Sequence, residues 1–290
     1  MKTIDTLVED IQALITDGKI LDDDRASRFG QAISSTVVQR FNETSGNPSL
    51  RFSNLGTPCE RKLWYSINQH ERGIPLSASA RFKFLFGDIL EHMLLFLAEE
   101  AGHLVTHRQY EVEVNGVKGH IDGIIDGVLV DTKSASSFSF KKFSKGELEA
   151  NDPFGYITQL NGYHSACLSD PNLDIDPTKF AFLVIDKQLG HTCLDVHKPK
   201  EIDLGLLIEQ KKDMVSSSIP NRAFFDVPDG KSGNRKLDTM CGYCGHKFSC
   251  WPNLRTFLYS NGPRYLTNVE RLPDVPEVIG EQESGNLDED

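Results

Sequence analysis

Two dipeptides, Asn115-Gly116 and Asp126-Gly127, constrain the fold of this chain more than any other feature. Each suits a two-residue turn with positive φ at both central positions, and each lies between alternating apolar segments. They predict three antiparallel strands, at about 109–115, 117–125 and 127–134. The last two contain GHIDGIIDGVLVDTKS, residues 119–134, an apolar stretch that also carries three aspartates, a histidine and a lysine. With a two-residue turn at 126–127, opposed residues have numbers summing to 253. Asp122 then faces Asp131, His120 faces Lys133, and all four project from one face. Like charges so placed destabilise a sheet unless something neutralises them. A divalent cation such as Mg²⁺ does so through hard carboxylate oxygens. Ile121, Ile125, Val128 and Val130 are left to pack on the other face. The competing reading is an ordinary hairpin with a solvated polar face.

The surrounding pattern is helical, then stranded, then helical. Apolar positions Phe82, Leu85, Phe86, Ile89, Met93 and Phe96 give residues 81–100 a helical stripe, and His92 falls inside it. A histidine there reads either as a satisfied core residue or as a third ligand beside the paired aspartates. A helix is expected at about 154–168, with Gln159 and Tyr163 on one face, then strands near 179–186 and 191–197 and a helix at 201–216. Residues 3–45 read as accessory helices, the second closing at Ser45-Gly46-Asn47-Pro48. The expected architecture is one α/β domain with a central mixed sheet flanked by helices.

These motifs, taken in order, resemble the RecB-type branch of the PD-(D/E)XK nuclease superfamily. A helix-borne His after a Gly is matched by Gly87 to His92, G-x-x-D by Gly119 to Asp122, D/E-x-K by Asp131-Thr132-Lys133, and Q-x-x-x-Y by Gln159 to Tyr163. Ile121 replaces the superfamily's proline, and Asp131 is the shorter of the two allowed acids. The resemblance implies a restriction-endonuclease-like core. It further implies Mg²⁺ or Mn²⁺ held by His92, Asp122, Asp131 and the Thr132 carbonyl, Lys133 acting on the attacking water, and Gln159 and Tyr163 positioning DNA.

Cys241-x2-Cys244-x5-Cys250, with Cys59 lying 182 residues before Cys241, is similar to the iron-sulfur arrangement of the CRISPR-adaptation nucleases and the AddB nuclease domain. Four thiolates suit a [4Fe-4S] cluster stapling distant parts of the chain, or alternatively structural Zn²⁺. Cys167 and Cys193 read as small buried apolar residues. The implied domains are an N-terminal helical region (1–48), a nuclease domain with its cysteine cluster (49–262) and a poorly ordered acidic tail (263–290).

Composition bears on the partner. The net charge of -11 opposes phosphate binding, but residues from Glu270 onward carry -7 of it. No charge-free apolar run is long enough to span a membrane, and acids near the N-terminus argue against a signal peptide. A reduced, cytoplasmic setting in a prokaryotic cell or a virus-infected host is expected. The function expected is a metal-dependent DNA exonuclease of recombination, repair or replication, with possible protein partners in a recombination or CRISPR complex. The alternatives are a noncatalytic DNA-binding or assembly module and a zinc-stapled interaction protein.

Overall fold

A computed structural model describes residues 2–42 and 48–278. The helices are α1 (Leu7–Asp17), α2 (Asp23–Asn42), α3 (Phe52–Leu55), α4 (Glu60–Asn68), α5 (Ala78–Glu100), α6 (Ser137–Ser144), α7 (Tyr156–Ser169), α8 (Leu204–Ser216), α9 (Thr239–Gly242) and α10 (Lys247–Cys250). The strands are β1 (Val105–Thr106), β2 (Tyr110–Val114), β3 (Val117–Ile121), β4 (Gly123–Ile125), β5 (Val128–Ala135), β6 (Phe180–Asp186), β7 (Thr192–His197), β8 (Val227–Pro228), β9 (Arg235–Lys236), β10 (Arg255–Tyr259), β11 (Gly262–Asn268) and β12 (Glu277–Val278). No helix among the described residues is long and apolar enough to cross a membrane.

The chain divides into two compact units, Met1–Gly56 with Ser79–Gln210, and Thr57–Ala78 with Lys211–Asp290. The first unit is α/β, with a mixed sheet of order β1-β4-β5-β6-β7. Within it β5 and β6 run parallel, while β4 pairs with β5 and β6 with β7 antiparallel. Both turn dipeptides take the expected conformation, with φ of 49° and 74° at Asn115 and Gly116 and of 50° and 81° at Asp126 and Gly127. These are the positive angles that a type I′ turn demands.

Each face of the sheet carries its own apolar layer. On one, Leu129, Phe180, Phe182 and Val184 pack with Phe140 and Phe143 of α6, Leu160 and Ala166 of α7, and Ile208 of α8. On the other, Ile125, Val128, Val130, Ala181 and Leu183 pack with Leu7 and Ile11 of α1 and Leu94, Leu95 and Ala98 of α5. The first helix is therefore part of the domain rather than accessory to it, because Ile4, Leu7 and Ile11 recur at helical spacing and are buried. The stripe on α5 is buried only in its C-terminal half, and Phe82 and Phe86 are exposed.

The second unit has its own sheet, β12-β10-β11-β9-β8. Its two chain segments are tied by polar contacts. Tyr65 donates to the Ser249 carbonyl at 3.0 Å, Trp64 to that of Ser217 at 2.9 Å, and the Ile74 N–H to that of Gly245 at 2.8 Å. Residues 57–78 group with the C-terminal part, so the segment 49–262 contributes to both units. Residues 263–278 of the expected acidic tail carry strand structure. Strand β11 pairs with β10, and Glu277 of β12 holds Arg255 through two bonds of 2.6 Å. Residues 279–290, and the helix stop at Ser45-Gly46-Asn47, lie outside the described residues.

The two halves of α5 predict opposite mutational outcomes. Leu94→Ala is expected to cost about 2–5 kcal/mol through cavity formation. Phe86→Ala should stay within about 0.5 kcal/mol, as an exposed side chain. The midpoint of urea unfolding measures both, and an equal loss in the two variants would show the stripe to be buried throughout.

Candidate active site

The β4–β5 ladder has the predicted register, with Gly123, Ile124 and Ile125 opposite Val130, Leu129 and Val128. It stops one pair short of the aspartates. At Asp122 the chain changes partners, and β3 pairs with β2 in a separate two-stranded sheet. His120 consequently lies opposite Glu111 rather than Lys133, with its exposed ring 3.6 Å from the Glu111 carboxylate. Ile121 moves with it, into the layer containing α7 rather than the one containing α1.

Freed from the ladder, Asp122 turns its carboxylate onto β5. One oxygen accepts the Thr132 N–H at 2.7 Å and the Thr132 hydroxyl at 2.9 Å. Asp131, buried on β5, forms an ion pair with Lys133 two residues on, on the same face of the strand. The Lys133 ammonium also lies 5.1 Å from the centre of the Tyr156 ring, at the first position of α7. Burial and the neighbouring Asp131 charge push the Asp122 carboxyl up to about 7, against the opposing pull of Lys133 and the Thr132 hydrogen bonds. For Lys133, burial alone would lower the pKa, but Asp131 and Asp122 outweigh it, and the net direction is upward. Lys133 is therefore an ammonium.

The fourth member of this group is Glu91, which the sequence reading passed over in favour of His92. Burial, the Asp122 charge and, more weakly, Asp131 and Asp88 raise the Glu91 carboxyl to about 8, while a 2.5 Å hydrogen bond from Gln109 works the other way. The phase of α5 explains the difference. A Cβ built on Gly87 would stand 3.7 Å from the Ser134 hydroxyl, so that side of the helix faces the end of β5. Four residues on, Glu91 is turned only about 40° from it, whereas His92 is turned about 140° away. His92 is instead hydrogen-bonded to Thr36 of α2 at 2.8 Å, and burial followed by the Arg108 charge lowers its pKa.

The Q-x-x-x-Y pair supports the site in a different way from that expected. Tyr163 is only 4% exposed and stacks on Phe52 at 4.9 Å, so its ring is not available to stack on a base. A Cβ added to Gly119 would stand 2.5 Å from the Tyr163 hydroxyl and 2.6 Å from the Phe52 Cβ. The glycine of G-x-x-D thus lets β3 approach α7, three residues before Asp122. Gln159 is partly buried on the same helix.

All four predicted cluster cysteines belong to the second unit, with Cys59 immediately before α4, Cys241 in α9, Cys244 just after it and Cys250 at the end of α10. Burial, followed by the proximity of Cys244, Cys250 and Cys59, pushes the Cys241 thiol up to about 12. Cys244 is likewise raised, mainly by burial, with Cys59 and Cys250 adding to it. The four sulfurs are therefore electrostatic neighbours. Cys167 is fully buried in the core and Cys193 packs against it, as expected of small apolar residues. Among the described residues, no three His, Cys, Asp or Glu side chains are placed so as to hold a metal ion. In chemical type, however, the two donor sets fit different cations: clustered acid oxygens suit Mg²⁺ or Mn²⁺, and four thiols suit iron-sulfur or zinc.

The sequence matches no protein-family model and no curated protein. Among solved structures it is similar to one described as "Crystal structure of SSO0001", at 16% identity over 76% of this chain and 94% of that chain, with a TM-score of 0.42. A likeness of this degree carries no functional argument.

The raised acids predict a pH dependence. A carboxyl whose folded pKa lies above its unfolded value holds, in the folded state, a proton that the unfolded chain has released. Its contribution to stability is therefore present at low pH and is lost as pH rises from about 4 towards the folded values of about 7 and 8. In EDTA, the thermal midpoint should fall between pH 5 and pH 8, and Glu91→Gln should reduce that fall. A midpoint that rises over this interval, or a steeper fall in the variant, would contradict the placement of Glu91.

Proposed function

We propose that the first unit is a metal-dependent deoxyribonuclease site. The observation that carries this reading is the closeness of Asp122 and Asp131 to the Lys133 ammonium, with Glu91 of α5 near enough to feel both carboxylates. Glu91 and Asp122, raised first by burial and then by neighbouring carboxylates, are poised to exchange protons for a cation near neutral pH. Glu91, Asp122 and Asp131 would hold Mg²⁺ or Mn²⁺, which when bound supplies Lewis acidity toward a phosphodiester oxygen. Thr132 positions the Asp122 carboxylate through its two hydrogen bonds. Lys133, kept protonated, donates hydrogen bonds and neutralises charge on the phosphate as the extra negative charge develops. The same ammonium orients the attacking water by hydrogen bonding rather than deprotonating it. Tyr163 and Gly119 fix the approach of α7 to β3 that sets the position of Asp122. In this reading DNA is the substrate, and Cys59, Cys241, Cys244 and Cys250 hold a structural [4Fe-4S] cluster or, alternatively, Zn²⁺.

Digestion of end-labelled linear DNA and of circular DNA with Mg²⁺ or Mn²⁺ tests activity, end dependence and direction together. Lys133→Ala and Glu91→Gln should each lower cleavage by about a hundredfold or more, as expected for loss of charge stabilisation at the reacting phosphate. His92→Ala should cleave near the wild-type rate. The reverse order, with His92 essential and Glu91 dispensable, would reinstate the histidine as ligand. Wild-type protein that binds DNA but never cuts it would leave a noncatalytic binding module in place of a nuclease.

The cysteine assignment has its own test. Protein purified without oxygen should contain iron and acid-labile sulfide, and Cys244→Ser should lose both together with thermal stability. Zinc in their place would identify the alternative, and loss of metal at unchanged stability would remove the structural role.

A further inference from the structure

We propose that the N-terminal end of α7 and the adjoining face of α6 form a base-stacking platform. It selects an unpaired DNA strand and leads it to Lys133. This deepens the nuclease reading above and rests on it for the identity of the site, although its test does not depend on cleavage.

The platform combines two groupings of rings and ammonium groups, one at the start of α7 and one on α6. Phe154 is 46% exposed and stacks on Tyr156, with centroids 5.4 Å apart and planes 30° from parallel. The Tyr156 ring in turn faces Lys133 at 5.1 Å. Lys142 of α6 donates to the Asn151 carbonyl at 3.5 Å, three residues before Phe154, and lies 5.7 Å from the ring of Phe138, which is 75% exposed. Solvent-facing Phe138 thus sits beside Lys142, and solvent-facing Phe154 stacks on the ring that meets Lys133. Buried Phe143 backs the arrangement, 6.3 Å from Tyr156.

The backbone holds these rings in place before any ligand arrives. Gly155, between Phe154 and Tyr156, has φ of +75°, and a Cβ there would stand 1.8 Å from the Gly56 carbonyl oxygen. Asp152 accepts the N–H groups of Gly155 and Ile157, each at 2.9 Å. The turn directs one ring outward and the next toward the lysine, and its geometry does not depend on substrate.

Exposed aromatic faces are costly in water and suit bases, since every base has a π-face, whereas paired bases within a duplex are already stacked. Ammonium groups at this spacing suit the phosphates of the same strand. The occupant that satisfies both features is single-stranded DNA.

The test is fluorescence anisotropy of the full chain with labelled oligothymidine and with a blunt duplex of equal length, in EDTA so that nothing is cut. Phe154→Ala should weaken oligothymidine binding about tenfold, leaving duplex binding and the salt slope unchanged. Phe154→Tyr should restore affinity. Lys142→Ala should make the slope of log affinity against log salt shallower by about 0.7. Wild-type affinity in Phe154→Ala, equal losses on both substrates, or no oligothymidine binding by the wild type would each overturn the platform. Binding through Phe154 without Mn²⁺-dependent cutting would sustain the platform while removing the nuclease reading. Cutting of single strands by Phe154→Ala at the wild-type rate, with unchanged affinity, would do the opposite.

Discussion

Asp122, Asp131 and Lys133 lie together at β5, close enough to Glu91 of α5 for the carboxylates to feel one another, and the negative charges in this group outnumber the positive. Such an arrangement is unfavourable by default, because burial penalises each charge and the carboxylates repel one another. The protein answers in part by protonation, holding Asp122 near 7 and Glu91 near 8. It also directs the Thr132 N–H and hydroxyl at Asp122 and places the positive end of Lys133 against Asp131. A strand whose only task was to pack a sheet would carry apolar residues here, as β6 does from Phe180 to Ile185. Retaining acids in this position costs stability that an apolar strand would keep.

Much of this was legible in the sequence, for definite physical reasons. The Asn-Gly and Asp-Gly dipeptides fixed two turns through the positive φ they tolerate, and a two-residue turn fixes register wherever the ladder continues. What the rule could not foresee is that β3 leaves β4 and β5 at Asp122 to pair with β2. His120 was misplaced for that reason. His92 and Glu91 differ in helical phase, and Glu91 is the one turned toward β5. The apolar stripe suggested which side of α5 faced inward, but Phe82 and Phe86, which helped define it, are exposed. The β10–β11 hairpin turns at Ser260-Asn261, a pair without the Asn-Gly or Asp-Gly signature of the other two, and Gly262 already lies in β11 opposite Tyr259.

The donor atoms are segregated by hardness. The first unit gathers carboxylate oxygens on β5, at the start of β4 and on α5, and the second gathers thiols from α4, α9 and α10. Oxygen donors select small, strongly hydrated dications, and thiolates select zinc or iron-sulfur clusters.

Helix α7 shows how one element can serve both stability and chemistry. Tyr156 and Tyr163 are seven residues apart, nearly two turns, and so project from almost the same side. Their environments differ because the helix runs from the site toward the core. Tyr163 is buried against Phe52 and blocks any side chain at Gly119, which sets the distance between α7 and the strand leading into Asp122. Tyr156, two turns earlier, is only partly buried and meets the Lys133 ammonium with the face of its ring. A shift of α7 along its axis would disturb both contacts together. The rigid packing at one end of the helix is therefore what gives the ring and the ammonium at the other end a fixed relation to the acids.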